Sequence, residues 1–138
     1  MAAPALDHLD PPARTHLLLA AAAHGGEGDL LSSLLAEKAV LHEPGLVEPI
    51  VSRSAVGAHL LQRSARSRVL RLSDCSVLSP RRTRLHYLLL HDDGEQQLVQ
   101  ETVSWRRPQL AAEVWRRVLL LPPGTQPSPE PGAKTWRR

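Results

Sequence analysis

LLAEKAVLHEPGLVEPIVSRSAVGAHL, Leu34 to Leu60, is the stretch whose reading decides the fold. It reads as the end of a helix, a short strand from Ala39 to Glu43, a crossing bounded by Pro44 and Pro49, a second short strand at Ile50 and Val51, and a fresh helix from about Arg53. Such a passage carries the chain from helices into sheet. It also sets Glu43, against Pro44, where the turn opens onto whatever the sheet encloses.

Upstream, Asp10 before Pro11 and Pro12 marks a helix start, with a side-chain acceptor at the N-cap and prolines in the first turn, where the missing N–H is not needed. The helix runs through Leu17 to His24, and Gly25 and Gly26 stop it. Asp29 is placed to cap a second, short helix whose Leu30, Leu31, Leu34 and Leu35 recur at helical spacing. Beyond the crossing, Ser52 or Ser54 caps a third helix with Val56, His59, Leu60 and Arg63 on one face.

After Arg68 the pattern changes to strands. Val69 to Leu78 has apolar residues of one parity at Leu70 and Leu72 and of the other at Cys75 and Val77, the switch that a β-bulge produces. Ser79 to Arg81 make a turn, and Thr83 to His91 is apolar on both faces, as a strand covered on both sides would be. Asp92, Asp93 and Gly94 form a hairpin turn. Gln96 to Arg106 then alternates, with Val99, Glu101, Val103 and Trp105 on one face and Gln100, Thr102 and Ser104 on the other. Pro108 and Gln109 lead into a last strand, Ala111 to Leu121. The expected organisation is a lead-in at 1–10, one domain over 11–121, and a Pro-rich disordered tail at 122–138.

Composition narrows the function classes. With no Phe, three Trp and one Tyr, the interior must be filled by aliphatic side chains, which counts against an aromatic stacking platform for single-stranded nucleic acid. Net charge is +3, carried by 15 Arg and 2 Lys. No nucleic-acid motif accompanies that charge, so the arginines read as strand-edge and turn residues that keep a sheet soluble. Cys75 is alone, and a reducing compartment is expected. The apolar run Leu17 to Ala23 follows a segment holding Asp7 and Asp10, where a secretory signal would be basic, and no run is long enough to span a bilayer. The expected location is the cytoplasm, without membrane contact.

The order of elements resembles the cone-shaped α+β fold of nuclear transport factor 2-like proteins, SnoaL-like polyketide cyclases and ketosteroid isomerase. The resemblance covers about Pro11 to Leu121 and is most specific over GDLLSSLLAEKAVLHEP, Gly28 to Pro44, followed by Glu48, Pro49 and the helix with Ala55 and Val56. It implies a curved antiparallel sheet wrapped around the N-terminal helices and enclosing a cavity. It also implies that Glu43 matches the carboxylate that moves the proton in the isomerase. Where that enzyme has a tyrosine on its first helix to polarise the substrate carbonyl, this chain has Ala21; Tyr87 lies on a strand instead.

Glu43 therefore has two readings: a carboxylate beside an apolar cavity, its pKa raised toward neutrality, or a solvent-facing residue at a strand end. Glu101 is singled out by the sequence itself, because a carboxyl group sharing a face with Val99, Val103 and Trp105 must be protonated, paired or hydrogen-bonded if that face is buried. Protonated, it could donate to an oxyanion; ion-paired, it would hold an arginine on a neighbouring strand. His59 and His86 form a candidate acid/base pair, suggested by a dehydratase of the same fold class. The expected pocket lining is Leu41, Val56, Leu60, Tyr87, Val99, Val103 and Trp105. No metal or cofactor is expected, since no ligand spacing or phosphate-binding loop occurs. The expectation is a domain that binds a small apolar molecule, with proton-transfer chemistry such as isomerisation, cyclisation or dehydration at Glu43. The alternative is a non-catalytic ligand-binding or protein-interaction module. A homodimer through the outer face of the sheet is expected from the two-sided apolar strand Thr83 to His91.

Overall fold

The computed structural model describes residues 10–119 of the 138-residue chain, the side chains at 73 and 74 excepted. In chain order the elements are α1 (Pro11–His24), α2 (Gly28–Ser33), β1 (Leu35–His42), β2 (Ile50–Val51), α3 (Arg53–Ser64), β3 (Ser67–Ser79), β4 (Arg82–His91), β5 (Gln96–Arg107) and β6 (Leu110–Leu119). The strands form one sheet in the order β2-β1-β6-β5-β4-β3, so the class is α+β. The lead-in before residue 10, the end of the last strand past Leu119 and the expected tail lie outside the described residues.

The sheet is mixed rather than antiparallel throughout, because β1 and β6 run parallel. Strands β3 to β6 form a meander of antiparallel neighbours, and its last strand arrives beside β1 pointing the same way. Strand β2 already occupies the other side of β1. In β3 the register shifts between Leu72 and Cys75, where the parity switch predicted a bulge, with further shifts at Val69/Arg71 and Val77/Ser79. Each such shift bends and twists the strand, curving this end of the sheet.

Local signals place most elements, with corrections at their ends. Asp10 is the N-cap of α1, but its side chain makes no capping bond; the prolines at N1 and N2 make the start. The cap of α2 is Glu27, and Asp29 sits inside its first turn. Strand β1 begins at Leu35, directly from the end of α2, and not at Ala39. Ser52 caps α3, its hydroxyl accepting from the Ala55 N–H at 3.2 Å.

The core lies where the helices close one end of the sheet. Leu31, Leu35, Leu41, Val56, Val103 and Val114 are fully buried in a single cluster. Tyr87, Leu89 and Val99 form a second, smaller one. On the opposite face of the sheet Leu88 and Leu98 are also buried. No helix among the described residues is long and apolar enough to cross a membrane.

Candidate functional site

Glu43 is delivered by a turn written in the sequence. The Leu46 N–H donates to the Glu43 carbonyl at 3.2 Å, Pro44 follows Glu43, and Gly45 has φ +90°. Proline then glycine at positive φ is the pattern of a type II turn, which only glycine adopts there without strain. Continuing the inward parity of Leu41, the Glu43 side chain meets the face of α3. His59 Nε2 and Arg63 Nε both lie 3.0 Å from its Oε1, while Arg116 NH1 donates to Oε2 at 3.4 Å.

Arg116 links Glu43 to a second carboxylate. It stands directly opposite Glu101 across β5 and β6, its Nε 3.2 Å from Glu101 Oε2. Glu101 is 5% exposed, yet its pKa lies low, at about 2. Burial pushes it up, but the hydrogen bond from His16, the Arg116 and His16 charges and the Tyr87 hydroxyl together outweigh that. Of the two states the sequence left open, this is the ion pair. Tyr87 donates to Glu101 Oε2 at 3.0 Å and accepts from Arg116 NH2. Its phenol is raised above the ordinary value, mainly by burial.

The network continues into α1. Because a carboxylate can only accept, His16 Nε2 carries the proton in its 2.8 Å bond to Glu101 Oε1. His16 Nδ1 lies 2.8 Å from the Thr83 hydroxyl, accepting from it in the neutral imidazole and donating to it in the protonated one. That hydroxyl also accepts from Trp105 Nε1–H at 2.9 Å. Every member of the series Trp105, Thr83, His16 and Glu101 is thus satisfied, and such a network in a low-dielectric interior is rigid.

A cavity of about 630 Å³ opens on the other side of Arg116. Its apolar wall includes Leu89, Val99 and Val118, and its polar wall includes His24, Glu43, Ser64 and Arg116. His24 Nδ1 and Ser64 Oγ are buried without a hydrogen-bond partner, and the buried Arg116 Nε has its ion-pair contact with Glu101. The His24 imidazole is edge-on to the Tyr87 ring, and burial, with the Arg116 charge adding to it, lowers its pKa to about 4. Among the described residues no group of three or more His, Cys, Asp or Glu is placed to hold a metal ion.

Many solved structures share this fold. One is a nuclear transport factor 2-like protein of unknown function from Mesorhizobium loti, with a TM-score of 0.71 and 15% identity, covering 82% of this chain and 98% of that one. The chain has the nuclear transport factor 2-like fold. A protein from Agrobacterium tumefaciens assigned to the SnoaL-like family as a candidate isomerase matches with a TM-score of 0.61 and 16% identity, over 77% and 98% of the two chains. A de novo designed protein with a curved β-sheet matches with a TM-score of 0.65 and 12% identity, over 79% and 85%. At such identities, and with a designed chain among the matches, the likeness speaks for fold alone. No family model matches the sequence. No curated protein matches it either.

Within the nuclear transport factor 2-like fold the expected site residues fall in four places. Glu43 and Val99 line the cavity. Glu101 and Tyr87 lie behind it, joined to it through Arg116, and His59 reaches Glu43 from α3. Leu41, Val56, Leu60, Val103 and Trp105 are packed in the core cluster. His86 has the parity opposite to Tyr87 and bonds Gln100 at 3.0 Å, so it does not meet His59. Its pKa is lowered by burial and by Arg84. Sequence reasoning missed Arg116, His16, His24, Thr83 and Ser64. A signal existed for Arg116, which alternates with Val114 and Val118 on β6 as Glu101 alternates with Val99 and Val103 on β5.

Proposed function

We propose that the cavity binds a small organic molecule with an apolar body and an oxygen-bearing end, and that Glu43 transfers a proton on it, in chemistry of the isomerisation, cyclisation or dehydration type. The observation that carries this reading is the accommodation of Glu43. It lines the cavity, its Oε1 is taken up by His59 and Arg63, and among the described residues its Oε2 accepts from Arg116 alone, at 3.4 Å. A carboxylate oxygen has room for two partners, so Oε2 retains an acceptor position. Leu89, Val99 and Val118 supply an apolar wall for the rest of the molecule. Glu101 has a supporting role here, keeping Arg116 and Tyr87 in place.

The second reading is a binding module without catalysis, favoured by the three donors that already surround Glu43. Cyclohexanone in D₂O separates the two. We expect proton–deuterium exchange beside its carbonyl, followed by NMR, to run faster with the protein than in buffer, and Glu43→Gln to abolish the gain. Binding without accelerated exchange would leave only the module, and absence of binding would remove both readings.

The same proposal includes a second copy of the chain on the outer face of the sheet. Trp115 stands there 46% exposed, its ring stacked 3.6 Å from that of His42. Sedimentation of the protein and of Trp115→Glu tests this: a dimer that the substitution dissociates is expected, and a monomeric parent overturns it.

A further inference from the structure

An arginine at the inner end of a cavity, in a chain of net charge +3, invites the reading of a carboxylate or phosphate site. The ion pairs argue otherwise. Arg116 is bracketed by two carboxylates, Glu43 and Glu101, and Arg63 is paired with Glu43 as well. At this end two arginines meet two carboxylates, and the positive charge is already spent. Arg66 and Arg117 also line the cavity, and so do Asp92, Asp93 and Glu95. Over the whole lining, four arginines are matched by four carboxylates, with Glu101 behind as a fifth. Among the described residues an anion entering here would find no unbalanced cation, and it would be repelled by Glu43.

Hydrogen-bonding capacity is left over where charge is not. A guanidinium has five N–H donors; the hydrogen bonds of Arg116 to Glu43 and Tyr87 use two and its Nε is held against Glu101, leaving two. The Arg116 side chain is 8% exposed and lines the cavity. Ser64 Oγ and His24 Nδ1, on residues that line it too, have no partner. Burying such groups unpaired is costly, and an oxygen that accepts from the Ser64 hydroxyl, and from His24 in the tautomer with its proton on Nδ1, recovers that cost without bringing in charge. The imidazole of His24, kept neutral by burial, adds none itself.

We infer that the cavity selects an uncharged ligand with a hydrogen-bond-accepting oxygen, such as a ketone, amide or ester carbonyl, over carboxylates and phosphates, and that Arg116, Ser64 and His24 are its contacts. This rests on reading the cavity as a ligand site. Arg116 acts in it as a hydrogen-bond donor whose charge is cancelled in advance, and the apolar wall at Leu89, Val99 and Val118 takes the remainder of the molecule.

The test is a set of cyclohexyl probes alike in shape and different in charge: cyclohexanecarboxamide, cyclohexyl methyl ketone, cyclohexanecarboxylate and cyclohexylmethylammonium. Their dissociation constants are measured with the full chain by protein-observed NMR, which also reports the residues touched. The amide or ketone should bind roughly tenfold or more tightly than the carboxylate, as expected when an ion meets like charge. Ser64→Ala and His24→Phe should weaken the neutral probes. Glu43→Gln, which takes one negative charge from the wall, should move the preference toward the carboxylate. A carboxylate or ammonium that binds as tightly as the amide overturns the charge argument and leaves the cavity a ligand site. If none of the four perturbs cavity residues at millimolar concentration, the ligand-site reading fails and this inference with it.

Discussion

Glu101 and Arg116 stand opposite one another on β5 and β6, and through that one pair both carboxylates of the candidate site are tied to the same guanidinium. A buried pair of this kind need not stabilise the fold, because its attraction is offset by the loss of water. What it does is penalise the loss of either partner. Glu101→Gln should therefore cost about 3–5 kcal/mol by leaving an arginine buried without its nearest counter-charge. Glu101→Leu with Arg116→Met should lose less than the sum of the two single changes. Chemical denaturation of the four proteins gives the cycle, and strict additivity would show that the two residues do not act as a pair.

Thr83 is small, but two buried rings depend on its hydroxyl. Thr83→Val keeps the shape and strands Trp105 Nε1–H and His16 Nδ1, with an expected loss of about 1–3 kcal/mol. Trp105 emission should change at the same time, since its indole loses its acceptor. A stability unchanged within error would mean that the relay is not formed in solution.

Two buried groups make stability depend on pH in separate windows. For His24, burial aided by Arg116 lowers the folded pKa from 6.5 to about 4, so its contribution is present above pH 6.5 and lost as pH falls toward 4. The reason is that the unfolded chain takes up the proton first. For Glu101 burial raises the pKa, but the His16 hydrogen bond and the Arg116 charge bring it down from 4.5 to about 2, so its contribution is present above pH 4.5 and is lost toward 2. Denaturation midpoints from pH 8 downward should decline in both windows, and His24→Phe should flatten the upper one. A decline of the same size in His24→Phe would assign the upper window to another group.

Ser52 holds a backbone conformation that side chains rarely adopt, φ 100° and ψ 149°, while its hydroxyl caps α3. Ser52→Ala keeps the strain and loses the cap, for an expected cost of about 1 kcal/mol. Ser52→Gly loses the same bond but relieves the backbone, so it should be the more stable of the two. Thermal unfolding of both variants decides this, and the reverse ranking would mean that the strain is not significant.

Much of this was legible in the sequence wherever a property is local. Glu43-Pro44-Gly45-Leu46 specifies its turn, the parity switch between Leu72 and Cys75 marks its bulge, and the run Val99, Glu101, Val103 and Trp105 announces a carboxylate on an inward face. The prolines and glycines around α1 place both of its ends. Periodicity and turn chemistry depend on neighbours a few residues apart, and a one-dimensional reading can see those.

Partners far apart in the chain were decided by the tertiary structure alone. Nothing near Glu101 in sequence names His16, separated from it by 85 positions, or shows that Arg116 would face it across a strand pair and leave it ionised. The parallel meeting of β1 with β6 likewise depends on how a whole meander closes on a strand laid down much earlier. Charge state and cavity shape follow from what packing brings together and what it excludes from water. For that reason the sequence could nominate both carboxylates, while only the folded chain determines that one lines the cavity and the other braces the arginine between them.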